Sequence, residues 1–358
     1  MTLSVAEYDL LPALESLRDE WNDLLARSDN GSIFATWEWV EACWKYGAPG
    51  RQPLVLAARE QGGRLVGLLP LARTSRFRVL QTLEVIGCTE LGYPIGDYGG
   101  LVTERGAEVP AWAAMLRYLR KSKWTILDLR NLMASSPIRE EQLKRLYAQS
   151  SMSNGWGVRV QTADACRVIA LPSTFDEYMA GLSSNTRQNL RRKMRKLAQD
   201  GHTIEQIAPG DEATRNAAMD AFFNFHQDRW EEDASGGGFP EGWQRVIHRY
   251  MTGTLAAAGK LDLRMVRSSD GEIAGVIYNF RHNGVGYYYH LGASQDPRWA
   301  PYSLGTCLLA DSIAAAISDG CRSFDLLRGD HDYKRHFGGY ATNNLRVVIY
   351  RHGWLPKA

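Results

Sequence analysis

The sequence predicts an α/β (α+β) protein of two successive lobes, and three observations carry that reading. The chain has 358 residues, more than one ordinary domain needs. A strand hairpin followed by a helix and a further strand occurs twice along it, and amphipathic helices introduce each copy. Apolar residues at 44% and charged residues at 23% are globular proportions, so each half can bury its own core.

The stretch through LPALESLRDEWNDLLARS places Leu10, Leu14, Leu17, Trp21, Leu24 and Leu25 at helical spacing, and IFATWEWVEACWKYG is a second helix. PLVLAARE, the turn QGG and RLVGLLPLAR form a hairpin. The amphipathic VPAWAAMLRYLRKS then leads into the strand WTILDLRNL. Turn residues in SSMSNGWG place the boundary between Gln149 and Pro172, dividing the chain into lobes 1–160 and 161–358.

In the second lobe TFDEYMAGLSSNTRQNLRRKMRKLAQDG reads as one helix stopped at Gly201, and DEATRNAAMDAFFNFHQDRW as another. The loop WEEDASGGGFPEGW, Trp230 to Trp243, is either a flexible surface loop or a lid. LDLRMVR, SSDG and EIAGVIYNFR repeat the hairpin. VGYYYHLG is a strand, SLGTCLLADSIAAAISDG a helix, and RSFDLLRGD a closing strand whose "DL-R" ending matches WTILDLRNL. DYKRHF is a short helix, with Asp330 at its start and Gly338 and Gly339 ending it.

Several classes of function are disfavoured. The five cysteines are scattered and never form C-x-x-C, which points to a reducing compartment and no structural zinc. The eight histidines make no H-E-x-x-H, and there is no G-x-S-x-G elbow or G-x-x-x-x-G-K loop. No apolar run is long enough to span a bilayer, and MTLSVAEYDLLPALESL lacks a basic region before an apolar one; a cytoplasmic protein without membrane insertion is expected. The net charge of +2 conceals RQNLRRKMRK, Arg187 to Lys196, where six of ten residues are Lys or Arg. This is either a solvated helix face or one that meets phosphate or carboxylate.

Main-chain N–H groups at a helix start are unpaired, and Ser303 with Gly305 lets an anion approach them, although Ser is equally an ordinary N-cap. If the strands YYYHLG and SFDLLRGD run parallel and then splay, the gap between them offers backbone groups to an extended ligand whose pyrophosphate sits on that helix start.

RQNLRRKMRKLAQDG, FHQDRW, GEIAGVIYNF, HLGASQDPRWAPYSLGTCLL and FDLLRGDHDYKRHFGG, in that order over about residues 180 to 340, resemble the acetyltransferase domain of the GNAT superfamily found in CelD-type cellulose-biosynthesis proteins. That domain is itself similar to the FemABX aminoacyl transferases. The closing YKRHFG is the most specific segment, and FATWEWVEACWKYG is a fainter echo in the first half. The resemblance implies two tandem GNAT-like lobes, each a mixed sheet flanked by helices, the first a degenerate copy without a YKRHFG equivalent. It further implies a metal-independent N-acyltransferase taking an acyl group from acyl-CoA, acetyl-CoA foremost, to a small-molecule acceptor. The donor would lie on Leu291, Ser303, Leu304, Gly305 and Thr306; Ala300 and Ser303 depart from the polar residue and first glycine of the family's pyrophosphate loop.

Acyl transfer to an amine needs a neutral amine, a polarised thioester carbonyl and a proton for the departing thiolate. His290, Asp330 and Tyr333 are the catalytic candidates, each with a structural alternative: a packed strand histidine, a helix cap and a core or rim tyrosine. Arg328, Lys334 and Arg187 suit anion binding. His226 and Trp230, four apart on a helix, and Trp37 complete the acceptor-side candidates, with ordinary packing as the alternative. Two other readings stay open: a FemABX-like transferase using aminoacyl-tRNA, and a scaffold that keeps the fold without the chemistry.

Overall fold

A strand absent from the sequence reading opens the chain: β1 (Ser4–Tyr8) precedes the first helix in the computed structural model, which describes residues 3–29, 31–47, 50–76, 80–85, 96–134, 137–152, 155–231, 239 and 242–351. The first expected helix is broken into α1 (Leu11–Glu15) and α2 (Arg18–Ala26). Ser16 lies at the break and turns its hydroxyl onto the carbonyl of Ala13 at 2.7 Å, a local bond that competes with helix continuation. A 3₁₀ turn, Ile33–Ala35, leads to α3 (Trp37–Tyr46), whose N-cap is Thr36. Then come β2 (Gln52–Arg59), β3 (Leu65–Arg76), β4 (Leu80–Val85), β5 (Val102–Thr103), α4 (Glu108–Leu119), β6 (Ile126–Ala134), α5 (Pro137–Met152) and β7 (Trp156–Ala170).

The second long helix of the sequence reading is also two. Thr174 and Glu177 make a reciprocal capping box for α6 (Phe175–Gly181). The backbone turns extended at Leu182, and the Ser183 hydroxyl accepts from Thr186 N at 3.2 Å to start α7 (Ser184–Gln199). The chain continues with β8 (Thr203–Gln206), α8 (Glu212–Glu231), α9 (Gly242–Ala257), β9 (Leu261–Arg267), β10 (Ile273–His282), β11 (Val285–Ala293), α10 (Leu304–Ser318), β12 (Ser323–Arg328), α11 (Asp332–His336) and β13 (Tyr340–Arg351).

The chain divides into two compact units, Met1–Ala165 with Thr342–Ala358, and Cys166–Ala341. A single cut at 160/161 therefore differs from the observed division at both ends, because most of β13 belongs with the first unit. Leu345, Val347 and Ile349 of β13 are fully buried in that unit's core, together with Leu127 and Leu129 of β6 and Trp112 and Met115 of α4.

Within the first unit the sheet order is β1-β2-β3-β4-β6-β13. Every neighbouring pair is antiparallel except β4 and β6, which run parallel over Thr82↔Ile126, Leu83↔Leu127 and Glu84↔Asp128. The crossover between them includes α4, as a parallel connection requires.

Within the second unit the order is β7-β12-β11-β10-β9-β8, with the Cys166–Ala170 end of β7 at its edge. The single parallel pair is again the one joined through a helix: β11 and β12 meet over Val285↔Ser323, Gly286↔Phe324 and Tyr287↔Asp325. Both units are thus mixed sheets flanked by helices, with the same three-residue parallel contact ending at an aspartate of β6 or β12. One face of the second sheet is covered by α6, α7 and α10, whose buried Tyr178, Leu190, Leu197, Leu308 and Ile313 pack on Ile277 and Phe324. The other face is covered by α8 and α9, which bring Phe222 and His248 onto Tyr278, with Phe223 packed against both. Among the described residues no helix is long and apolar enough to cross a membrane.

Candidate active site at the splayed strands

The parallel pairing of β11 and β12 stops at Tyr287 and Asp325, although both strands continue. Two irregularities separate them. On β11, Tyr278 of β10 pairs with His290 while Asn279 pairs with Tyr288, leaving Tyr289 as an extra residue. Such a bulge re-aims side chains, and here Tyr289 and His290 both turn to the α8/α9 face, while Tyr288 and Leu291 pack on the α10 side. On β12, the register with β7 slips between Asp325 and Arg328, and Leu327 takes φ of 58°. The left-handed region is costly for a leucine, and the Asp325 carboxylate holds this one by accepting from Leu327 N at 2.8 Å.

On the α10 side of the splay lies a pocket of about 230 Å³ lined by residues of α7, α10 and α11, among them Asn185, Lys193, Thr306, Tyr333 and His336. Tyr333 is 43% exposed, and its hydroxyl lies 3.4 Å from that of Tyr288. Ser303 precedes α10 with φ of 50° and makes no side-chain cap; Thr306 N bonds its carbonyl at 2.8 Å, which leaves Leu304 N and Gly305 N without an acceptor among the described residues. A Cβ on Gly305 would lie 3.2 Å from the Leu291 side chain. The glycine is therefore needed for packing of α10 on β11, where sequence reasoning credited it only with admitting a phosphate. Leu304 is buried, and Leu291 offers its carbonyl to His226 Nε2 at 3.0 Å.

On the α8/α9 side, His290 sits among Phe222, Phe239, Tyr278, Tyr289 and two further histidines, with ring centroids 6.1 Å away for His226 and 5.4 Å for His248. Burial holds His290 well below the ordinary histidine pKa, and the neighbouring His248, His226 and Arg328 push the same way, so its imidazole is neutral at neutral pH. His248, fully buried and bonded through Nδ1 to the Tyr278 hydroxyl, is pushed down to about 3 by burial, assisted by His226. Among the described residues no group of three or more His, Cys, Asp or Glu is placed to hold a metal ion.

The structure brings His290, His226 and Arg328 to one side of the splay, and Tyr333, Thr306 and the start of α10 to the other. It corrects four other expectations. Asp330 is neither cap nor base: the cap residue of α11 is His331, and Asp330 accepts from Arg167 at 3.0 Å and Arg335 at 3.1 Å, pairings that hold its carboxyl below the usual range, Arg167 most strongly. Lys334 is not an anion holder facing the cleft; it is 4% exposed and donates to the carbonyls of Leu326 and Arg328, both at 2.6 Å. Arg187 donates to the carbonyl of Ala180 at 3.2 Å, and it is absent from the pocket lining. Trp37 is 1% exposed in the first unit's core, edge-on to Trp21 and Trp44. The Trp230 side chain lies outside the described residues, as does the loop that follows it apart from Phe239.

Sequence reasoning missed Tyr288, Lys193 and His248. The first was hidden in the run YYYH, where only the bulge decides which ring faces which side. Lys193 lay inside a helix read as uniformly basic, and the helix bearing His248 went unassigned.

Residues 184–335 match the family described as Acetyltransferase (GNAT) domain. Among proteins of curated function none matches the sequence. Among solved structures, the chain is similar to FemX at 11% identity, with a TM-score of 0.68 over 97% of both chains. It is also similar to the C-terminal domain of a lysylphosphatidylglycerol synthetase described as putative, from Agrobacterium fabrum, at 11% identity and a TM-score of 0.58 over 94% of this chain and 92% of that one. A conserved protein of unknown function from Bacteroides thetaiotaomicron gives 11% identity and a TM-score of 0.59 over 97% of this chain and all of that one. Residues 184–335 of the second unit thus match the acetyltransferase (GNAT) domain family, in a chain that shares the fold of FemX.

Proposed function

We propose that the protein is an N-acyltransferase that moves an acyl group from a thioester donor, acyl-CoA in the simplest case, to the amine of a small acceptor. The observation that carries this reading is the β11–β12 splay with the α10-side pocket beside it. One side presents the start of α10, Lys193 and the Tyr288–Tyr333 pair; the other presents His290 with Arg328 and His226.

A donor lying in the α10-side pocket would place its phosphate toward the helix start and Lys193 and its thioester toward Tyr333. The acceptor would enter from the α8/α9 side. Its nitrogen attacks the carbonyl carbon, the C–N bond forms, the C–S bond breaks, the thiolate takes a proton from Tyr333, and the proton shed by the nitrogen returns through solvent to the phenolate. The amine must arrive neutral, because attack needs its lone pair and the surroundings of His290 oppose positive charge. His290 then accepts a hydrogen bond from that amine, and Arg328 is placed for a carboxylate on the acceptor.

The first unit is not a second centre of this chemistry. Its crossover helix α4 carries Glu108 at the start, paired with Arg139, so a carboxylate already stands where a donor phosphate would go. Calorimetric titration with CoA and short acyl-CoAs tests the reading. Binding that weakens in Thr306→Glu, which sets a negative charge in the pocket, supports it; no heat and no thermal shift with any thioester would favour a scaffold.

A further inference from the structure

Helix α7 carries a row of arginines, Arg187, Arg191 and Arg195, at i, i+4 and i+8, with Arg192 beside it. Like charges at this spacing oppose helix formation. No carboxylate among the described residues answers any of these four or Lys193; Arg187 and Arg192 reach only Ala180 O and Asn189 Oδ1, and Lys196 alone on this helix has an acid partner, Asp200. By contrast Arg264, Arg267, Arg281, Arg298 and Arg335 of the same unit each meet a carboxylate. The helix holds its place through Leu190, Met194 and Leu197 on its inner face, which leaves the arginine row along one outer edge. The opposite edge, Asn185, Thr186, Asn189 and Lys193, lines the donor pocket.

We propose that this row docks an acidic carrier protein, which delivers the acyl group as a thioester on its phosphopantetheine arm. The inference rests on the thioester reading above and names the carrier. The row rises only about 12 Å and is one helix wide, which matches a row of carboxylates on a partner helix. A nucleic-acid surface would need more cations than one helix supplies, and the net charge of the chain is only +2. The pocket suits an arm with a single phosphate, since the one lysine or arginine lining it among the described residues is Lys193, whereas free CoA brings three phosphates. An arm anchored on the arginine edge has to pass a helix about 10–12 Å wide to reach Tyr333. The transfer is balanced as before, with the thiol returned to the carrier.

The test measures binding of an acidic acyl carrier protein, in apo and octanoyl forms, and of octanoyl-CoA, to the wild type, R191E/R195E and R191K/R195K, at low and moderate salt. The expected result is that both carrier forms bind, that charge reversal weakens both by about tenfold or more with octanoyl-CoA affinity unchanged, and that the lysine variant keeps most of the affinity. Carrier binding indifferent to R191E/R195E overturns the proposal, as does bulk tRNA displacing the carrier at equal concentration. If octanoyl-CoA binds and the carrier does not, this proposal alone falls; if neither binds, the thioester reading falls with it.

Discussion

The ammonium of Lys334 lies 2.6 Å from the carbonyl oxygen of Arg328 and ties the short helix α11 to the strand end it follows. A second bond, to Leu326 O, spans the residue in left-handed conformation, so one side chain holds the bulge of β12 and the position of Tyr333 together. Lys334→Met removes both bonds and leaves buried carbonyls unanswered. Chemical denaturation should show a loss of about 3 kcal/mol or more, with acyl transfer falling alongside; an unaltered denaturation midpoint would mean that the bulge is held by other contacts.

Tyr333 separates chemistry from stability. Its ring is 43% exposed, so Tyr333→Phe should leave the melting temperature nearly unchanged. If its hydroxyl protonates the departing thiolate, kcat should drop by about 100-fold with little change in KM. Full activity in Tyr333→Phe excludes it as the acid.

His248 makes stability depend on pH. Its folded-state pKa of about 3 lies below the ordinary histidine value, so the unfolded chain binds a proton that the folded chain refuses. The stability it contributes is present above about pH 6.5 and is lost as pH falls toward 3, at up to about 1.4 kcal/mol per pH unit. Denaturation midpoints between these limits should fall on acidification, and His248→Asn should flatten the slope by close to one proton. Equal slopes would show that His248 does not titrate between the two states.

Gly305 and Leu291 form a testable pair. Gly305→Val drives new methyl groups against Leu291, and overpacking of this kind costs about 1–3 kcal/mol. Leu291→Ala in the same chain should recover part of the loss, giving a non-zero coupling in a double-mutant cycle followed by thermal unfolding. Additive effects would place the crowding elsewhere.

Much of the second unit was legible from local pattern. The hairpin joined by SSDG, the apolar run of α10 and the strand SFDLLR each follow from spacing and turn residues. What escaped is non-local. β7 alternates poorly between buried and exposed positions, so its 15 residues gave no strand signal. Lys334 read as a cleft cation because nothing local announces that a lysine will be buried against two carbonyls six and eight residues before it. Asp330 read as a cap until Arg167, distant in sequence, claimed its carboxylate. His290 and Tyr333 were legible as candidates because each stands at the end of a recognisable element. The two faces they occupy depend on a bulge that the sequence does not mark.

The return of β13 to the first unit sets an order of events during synthesis. Domains generally fold as units while the chain emerges, N-terminal first. Here Leu345, Val347 and Ile349 leave the ribosome after every residue of Cys166–Ala341, so the second unit can close while the first still lacks a strand of its sheet. Until translation reaches them, β6 has an open edge, a surface prone to pairing with other chains. A released chain ending at residue 341 would thus hold every residue of the second unit and a first unit short of one strand.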